Sequence, residues 1–187
     1  MAGHREVPRP LAISDGDVSA TKVTLDTSVL LELWKDQDKR AVVERLLAVA
    51  GEKGLDLTIT ARVRDDVPDG ALASRINMLS DIGVEESGSV TRLDHWQLGR
   101  DQLSCQAFTD LWLQLESDWK EGDASLPDWR DQDHLHAHML QERTVFLTWD
   151  RPILRLSQVL QDRFGIRVQT PEDFLAGIDT DATQDRS

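Results

Sequence analysis

The chain is 187 residues long and carries 34 acidic against 21 basic side chains, a formal charge of -13. That length suits one domain large enough to bury its own core, and the single Cys105 excludes an intramolecular disulfide scaffold. No apolar run approaches the ~20 residues of a membrane helix, and residues 1–20 lack the continuous apolar stretch of a signal peptide, so a soluble cytoplasmic protein without membrane contact is expected.

Residues 1–20, with Pro8, Pro10 and the run Ser14-Asp15-Gly16-Asp17, read as a flexible lead-in. Val23-Thr24-Leu25 is a β-favouring run that ends in Asp26-Thr27-Ser28, residues that start helices, and an apolar helical stretch follows from Val29 to Trp34. A second helix is predicted from about Lys39 to Ala50 on the stripe Val42, Val43, Leu46, Leu47 and Ala50, with Gly51 and Gly54 closing it. Leu55 to Thr60 is the next predicted strand, followed directly by Arg62-Val63-Arg64-Asp65-Asp66.

Helices are predicted at Leu72 to Leu79 and Ser104 to Trp119, an extended piece at Ser89 to Leu93, and a polar loop from Glu121 to Pro127. A long helix is expected from about Asp131 to Glu142. Val145-Phe146-Leu147-Thr148 is the most strand-like run, and Asp150 with Pro152 opens a helix from Ile153 to Arg163 that Gly165 stops. Ile166 to Val168 is a last strand, and Thr170-Pro171-Glu172-Asp173 begins a last helix in capping-box style. The domain is expected to span residues 21–177, with a helical insertion at about 79–128 and a flexible, polar tail over 178–187.

Strands alternating with helices predict an α/β fold, a three-layer α/β/α sandwich around a central parallel sheet. In open sheets of this kind the ligand crevice lies beyond the carboxyl ends of the strands. Asp26 and Asp150 stand at such ends, Asp131 at a helix start and Asp66 after the second strand, so all four are candidates for one rim. Hard divalent cations take carboxylate oxygen ligands together with water and substrate phosphate. Each acid also has a purely structural role open to it: Asp26, Asp131 and Asp150 are each suited to capping a helix, worth about 1 kcal/mol apiece. The acidic balance argues against a basic platform that binds nucleic acid by bulk charge, but not against an enzyme that reaches phosphate through metal ions.

The ordered pieces Val23-Thr24-Leu25-Asp26-Thr27-Ser28-Val29-Leu30, Asp131-Gln132-Asp133-His134-Leu135, Val145-Phe146-Leu147-Thr148-Trp149-Asp150 and Val168-Gln169-Thr170-Pro171-Glu172-Asp173-Phe174-Leu175 resemble the PIN-domain ribonucleases, the family of the VapC-like toxins. The resemblance covers residues 22–78 and 128–176 and includes the nineteen-residue step from Asp131 to Asp150. It implies a Mg2+- or Mn2+-dependent endoribonuclease in which Asp26, Asp66, Asp131 and Asp150 are the catalytic, metal-binding acids, with products ending in a 5′-phosphate and a 3′-hydroxyl. Where the family usually has glutamate as second acid, this chain has Asp65 and Asp66; Asp66 is preferred because it keeps the usual distance from Thr60. Ser28 and Thr148 are implied to orient acids or waters. RNA is the implied substrate, an antitoxin protein a candidate partner, and a homodimer the implied assembly.

Other residues bear on the same rim. Asp133 lies about 200° round the helix from Asp131 and is expected to be solvated or to back up the site. His134, His136 and His138 alternate on one helix. His134 and His138 share a face suited to zinc, but the preferred reading puts the histidines on the helix surface or in support, with His134 one turn from Asp131 and able to hydrogen-bond it. Of the 21 basic residues 16 are Arg; Arg62, Arg64, Arg151 and Arg155 flank the acids and suit either phosphate or surface ion pairs. Trp129 and Trp149 flank two acids, where packing is preferred to base stacking. Two other functions remain open: a catalytically degenerate PIN-like module that binds RNA or protein, and a phosphatase with an aspartyl nucleophile at Asp26. The second commonly wants an acid where this chain has Ser28.

Overall fold

The computed structural model describes residues 21–35, 37–67, 74, 82–84, 88–90, 101–103, 105–118 and 126–184. The expected lead-in at 1–20, the helix at 72–79 (save for Ser74), residues 91–93 of the extended piece and most of the loop at 121–127 lie outside the described residues.

Five strands form one parallel sheet: β1 (Lys22–Leu25), β2 (Asp56–Ile59), β3 (Gly83–Val84), β6 (Val145–Leu147) and β7 (Arg167–Gln169), ordered β3-β2-β1-β6-β7. The registers pair Leu25 with Ile59 and Leu25 with Leu147, which aligns the carboxyl ends of the three central strands. β4 (Gly88–Val90) and β5 (Asp101–Leu103) form a separate parallel pair. The helices are α1 (Thr27–Lys35), α2 (Gln37–Lys53), α3 (Val63–Asp66), α4 (Gln106–Asp118), α5 (Trp129–Leu140), α6 (Arg151–Arg155), α7 (Ser157–Phe164) and α8 (Pro171–Gln184).

Strand residues alternate between faces, and the sheet is buried on both, with Thr24 and Thr58 beside Phe146 on the second. Val23, Leu25, Leu57, Ile59, Val145 and Leu147 pack with Val29, Leu30, Val43, Leu46 and Phe174 from α1, α2 and α8. The intervening Phe146 joins Val168, Phe108, Leu111, Trp112, Leu135, Ile153 and Leu160 in a second cluster with α4, α5, α6 and α7. A parallel sheet buried on both faces is what near-continuous apolar strands such as Val145-Phe146-Leu147 require. The chain is thus an α/β protein with a five-stranded all-parallel sheet, compatible with the expected sandwich. No helix among the described residues is long and apolar enough to cross a membrane.

Several boundaries differ from the expectation. The helix predicted over 153–163 is two helices, because the chain breaks its regular hydrogen bonding at Leu156, whose N–H returns to the Ile153 carbonyl. Gly165 ends α7 at φ 71°, a left-handed conformation open to glycine without a Cβ clash. α8 continues to Gln184, through the stretch expected to be a flexible tail. The expected helical insertion at 79–128 holds strands as well: β3 extends the main sheet, and α4 supplies Phe108, Leu111 and Trp112 to the second core cluster.

Candidate functional site at the carboxyl edge of the sheet

Asp26 follows β1 directly, and its backbone N–H donates to the Leu147 carbonyl at 3.0 Å, which locks the ends of β1 and β6 together. Its side-chain Oδ2 accepts from the Ser28 hydroxyl at 2.6 Å and the Thr148 hydroxyl at 2.7 Å. Thr148 Oγ1 in turn accepts from the Asp150 N–H at 2.8 Å, while Ser28 Oγ accepts from the Trp149 N–H at 3.3 Å. The two hydroxyls therefore tie the carboxylate after β1 to the loop after β6. On the Asp26 side both hydroxyls donate to the carboxylate.

Asp150 caps α6: its Oδ1 accepts from the Ile153 N–H at 3.1 Å. Asp131 does not cap α5, as its helix-start position had suggested. The cap is Asp128, whose Oδ1 accepts from the N–H groups of Arg130 and Asp131, while Asp131 Oδ2 accepts from the Asp128 N–H at 3.0 Å. This reciprocal capping box starts the helix at Trp129, earlier than predicted.

Asp131 and Asp150 both feel the charges of Asp26 and Asp128. Burial, then the charges of Asp128, Asp26 and Asp150, push the Asp131 carboxyl up to about 7. Burial also raises Asp150; the charges of Asp26 and Asp128 add to that, and the Ile153 N–H and Arg155 only partly oppose it. Asp128 is the residue sequence reasoning missed. The available signal was its spacing: an acid three residues before Asp131, at the end of a polar loop, is a capping-box start.

Asp66 stands apart from this trio. Its Oδ2 accepts from the Thr27 hydroxyl at 2.8 Å and from His134 Nε2 at 2.6 Å, and the Arg130 guanidinium lies 3.8 Å from Oδ1. Burial favours its neutral form, but the hydrogen bond and charge of His134, with Thr27 and Arg130, outweigh it and hold the carboxyl below its ordinary value. Burial likewise opposes charge on His134, and Asp66, Asp26 and Asp131 overcome it, so the imidazole is raised above its ordinary value. Both ring nitrogens of His134 are engaged, Nε2 by Asp66 Oδ2 at 2.6 Å and Nδ1 by the Thr60 hydroxyl. The expected direct hydrogen bond from His134 to Asp131 is replaced by this bond to Asp66. The Asp65 side chain lies outside the described residues.

The other polar residues of α5 depart most from expectation. Asp133 is fully buried rather than solvated and faces Arg62 Nε at 3.4 Å, with Arg62 itself buried. His136 and His138 are buried too, not on the helix surface. His136 Nε2 accepts from the Cys105 N–H at 3.2 Å, and burial lowers its pKa to about 4. His138 Nδ1 lies 2.8 Å from Thr24 Oγ1, and burial with the Arg143 charge lowers it to about 3. Gln132 to His138 are all buried because α5 packs between the sheet and α4.

Among the described residues no three His, Cys, Asp or Glu side chains stand in a metal-holding arrangement. The donor chemistry at the rim nevertheless suits a hard divalent cation: Asp26, Asp131 and Asp150 are oxygen donors of like charge, and their repulsion is what a bound cation relieves. No protein-family model matches the chain, and no curated protein matches it significantly.

Proposed function

We propose that the protein is a metal-dependent endoribonuclease of the PIN type, with its reacting centre at Asp26, Asp131 and Asp150. The observation that carries this reading is that β1, α5 and β6 deliver three carboxyls to one edge, where burial and the charges of Asp128, Asp26 and Asp150 push Asp131 up to about 7. A charge cluster of that kind is costly unless a cation neutralises it. Asp26, Asp131 and Asp150 would hold Mg2+ or Mn2+; when bound, such an ion lowers the pKa of a water and offsets charge on the phosphodiester.

The chain's own residues do the rest. Ser28 and Thr148 fix the rotamer of Asp26 by donating to its Oδ2. The capping box holds Asp131 by its Oδ2 at the start of α5. Asp66, hydrogen-bonded to His134, acts as a positioning group that anchors α5 to Thr27 in α1. No covalent nucleophile is required, because a water supplies the attacking oxygen.

The test is thermal stability in Mn2+ or Mg2+ against chelator, followed by cleavage of single-stranded RNA. Metal is expected to raise the wild-type melting temperature by linkage, and Asp131→Asn to abolish that response and the cleavage. Neither protein responding to millimolar metal would sink the reading. A second reading, a degenerate PIN-like module that binds RNA or protein without cutting, draws on the engagement of Asp66 by His134 and Thr27. It predicts RNA or partner binding that is indifferent to both metal and Asp131→Asn.

A further inference from the structure

A cavity of about 450 Å3 lies between α4 and the first turn of α5, beside the acidic rim. Trp112, Leu113, Trp129 and Gln132 contribute to its walls, together with the carboxylates of Glu116 and Asp128. Four observations set it apart from an ordinary surface hollow. Trp112 is 3% exposed, yet its indole N–H has no hydrogen-bond partner. Leu113 is 58% exposed, a large apolar side chain left open at the same place. The Arg130 guanidinium sits 4.6 Å from the centroid of the Trp129 ring, a cation on the aromatic face. Asp128 belongs both to this cavity and to the rim, since its charge helps raise Asp131 and Asp150.

These features specify a ligand. An indole N–H only donates and a carboxylate only accepts, so the occupant has to offer both an acceptor and a donor. Two carboxylates in the wall repel a phosphate. Two tryptophans and an exposed leucine favour a flat, uncharged ring, and the volume is of small-ligand size. A nucleobase meets all of these conditions. Adenine, cytosine and guanine carry an exocyclic amino group that a carboxylate can accept from, as in known carboxylate-to-cytosine contacts; uracil offers only its ring N3–H, flanked on both sides by carbonyl oxygens that a carboxylate repels.

We propose that this cavity is a nucleobase subsite, taking one unpaired base of single-stranded RNA and favouring amino-bearing bases over uracil. It rests on the nuclease reading for the phosphate beside it, and it assigns that reading a substrate class: unpaired RNA with adenine, cytosine or guanine next to the scissile phosphate. Trp129 stacks, the Trp112 N–H donates to a ring nitrogen or carbonyl, and Glu116 or Asp128 accepts from the amino group.

The experiment is fluorescence anisotropy with labelled hexaribonucleotides of adenosine, cytidine and uridine and with an abasic ribose-phosphate hexamer, all in chelator so that nothing is cut. The adenosine and cytidine oligomers are expected to bind about tenfold more tightly than the uridine and abasic ones, in line with the usual worth of base stacking and edge recognition. Trp129→Ala is expected to bring all four to the abasic level. Leu113→Glu, an exposed position whose substitution leaves the core untouched, is expected to weaken the base-bearing oligomers by a similar factor. Trp112→Phe should narrow the preference between oligomers. Equal binding of abasic and base-bearing oligomers, or indifference to both Trp129→Ala and Leu113→Glu, overturns the subsite. The nuclease reading fails separately: base-dependent binding with no cutting of the same RNA in Mn2+ keeps the subsite and removes the catalysis, whereas cutting without base dependence does the reverse.

Discussion

Asp66 and Asp131 lie at the same edge of the sheet and are both partly buried, yet they end in opposite states. Burial pushes each carboxyl toward its neutral form. Asp66 meets the His134 imidazole, a threonine hydroxyl and the Arg130 guanidinium, and stays below its ordinary value. Asp131 meets three further carboxylates, opposed by a single backbone N–H, and rises to about 7. The difference teaches that partners, not depth, decide which acid is settled and which is poised. A settled carboxylate with its own counter-charge is a strut; a carboxylate surrounded by its own kind is the place where a cation gains most.

The largest expected effect breaks the settled side. His134→Ala leaves Asp66 with only the Arg130 guanidinium as counter-charge, and removing one partner of a buried pair costs at most about 3–5 kcal/mol; urea denaturation at neutral pH reads it. The pair also has a pH window with two different edges. The Asp66 contribution is present above its unfolded value of 3.8 and is lost as pH falls through its lower folded value. The His134 contribution is complete below 6.5 and is lost as pH rises through its higher folded value. Wild type should therefore lose stability on both sides of that window, and His134→Ala should flatten both edges.

The poised side behaves in the opposite sense. The folded state binds the Asp131 proton more tightly than the unfolded chain, so this group destabilises increasingly from pH 3.8 to about 7 and then levels off. Asp131→Asn, which keeps an acceptor for the Asp128 N–H, is expected to melt at a higher temperature than wild type above pH 7 without metal. A lower melting temperature there would mean that the like-charge account is wrong. Thr148→Val comes next. It removes one donor from Asp26 and one acceptor from the Asp150 N–H, for an expected loss of about 1–3 kcal/mol in equilibrium unfolding. Smallest is Asp150→Ala, which deletes the α6 cap; the loss should stay near about 1 kcal/mol, partly offset by relief of repulsion at Asp131, and differential scanning calorimetry resolves it.

How far the site was legible in the sequence follows from how local its signals are. Asp26, Ser28, Thr148 and Asp150 sit within three residues of strand ends, where a β-favouring run turning into helix-start residues marks both the strand and the rim. Asp128 was missed, although its capping box with Asp131 is just as local. Residues on α5 were hardest to place, because polar residues at every position of Gln132-Asp133-His134 and again at His136 and His138 leave no apolar stripe to say which face turns inward. Polar side chains are usually exposed, so Asp133, His136 and His138 read as surface until their partners are known.

The sequence by itself determined the alternation of strands and helices, the parallel α/β class and the acids that follow the central strands, because apolar periodicity and capping chemistry act between near neighbours in the chain. Only the tertiary structure decided which acids share a field. Asp66 meets His134 from 68 residues away, Thr148 meets Asp26 from 122 away, and Arg62 faces Asp133 inside the core. The physical reason is that Coulomb interactions and desolvation depend on distance in space and on local dielectric. Those are properties of the packed sheet and its covering helices, and no spacing along the chain contains them.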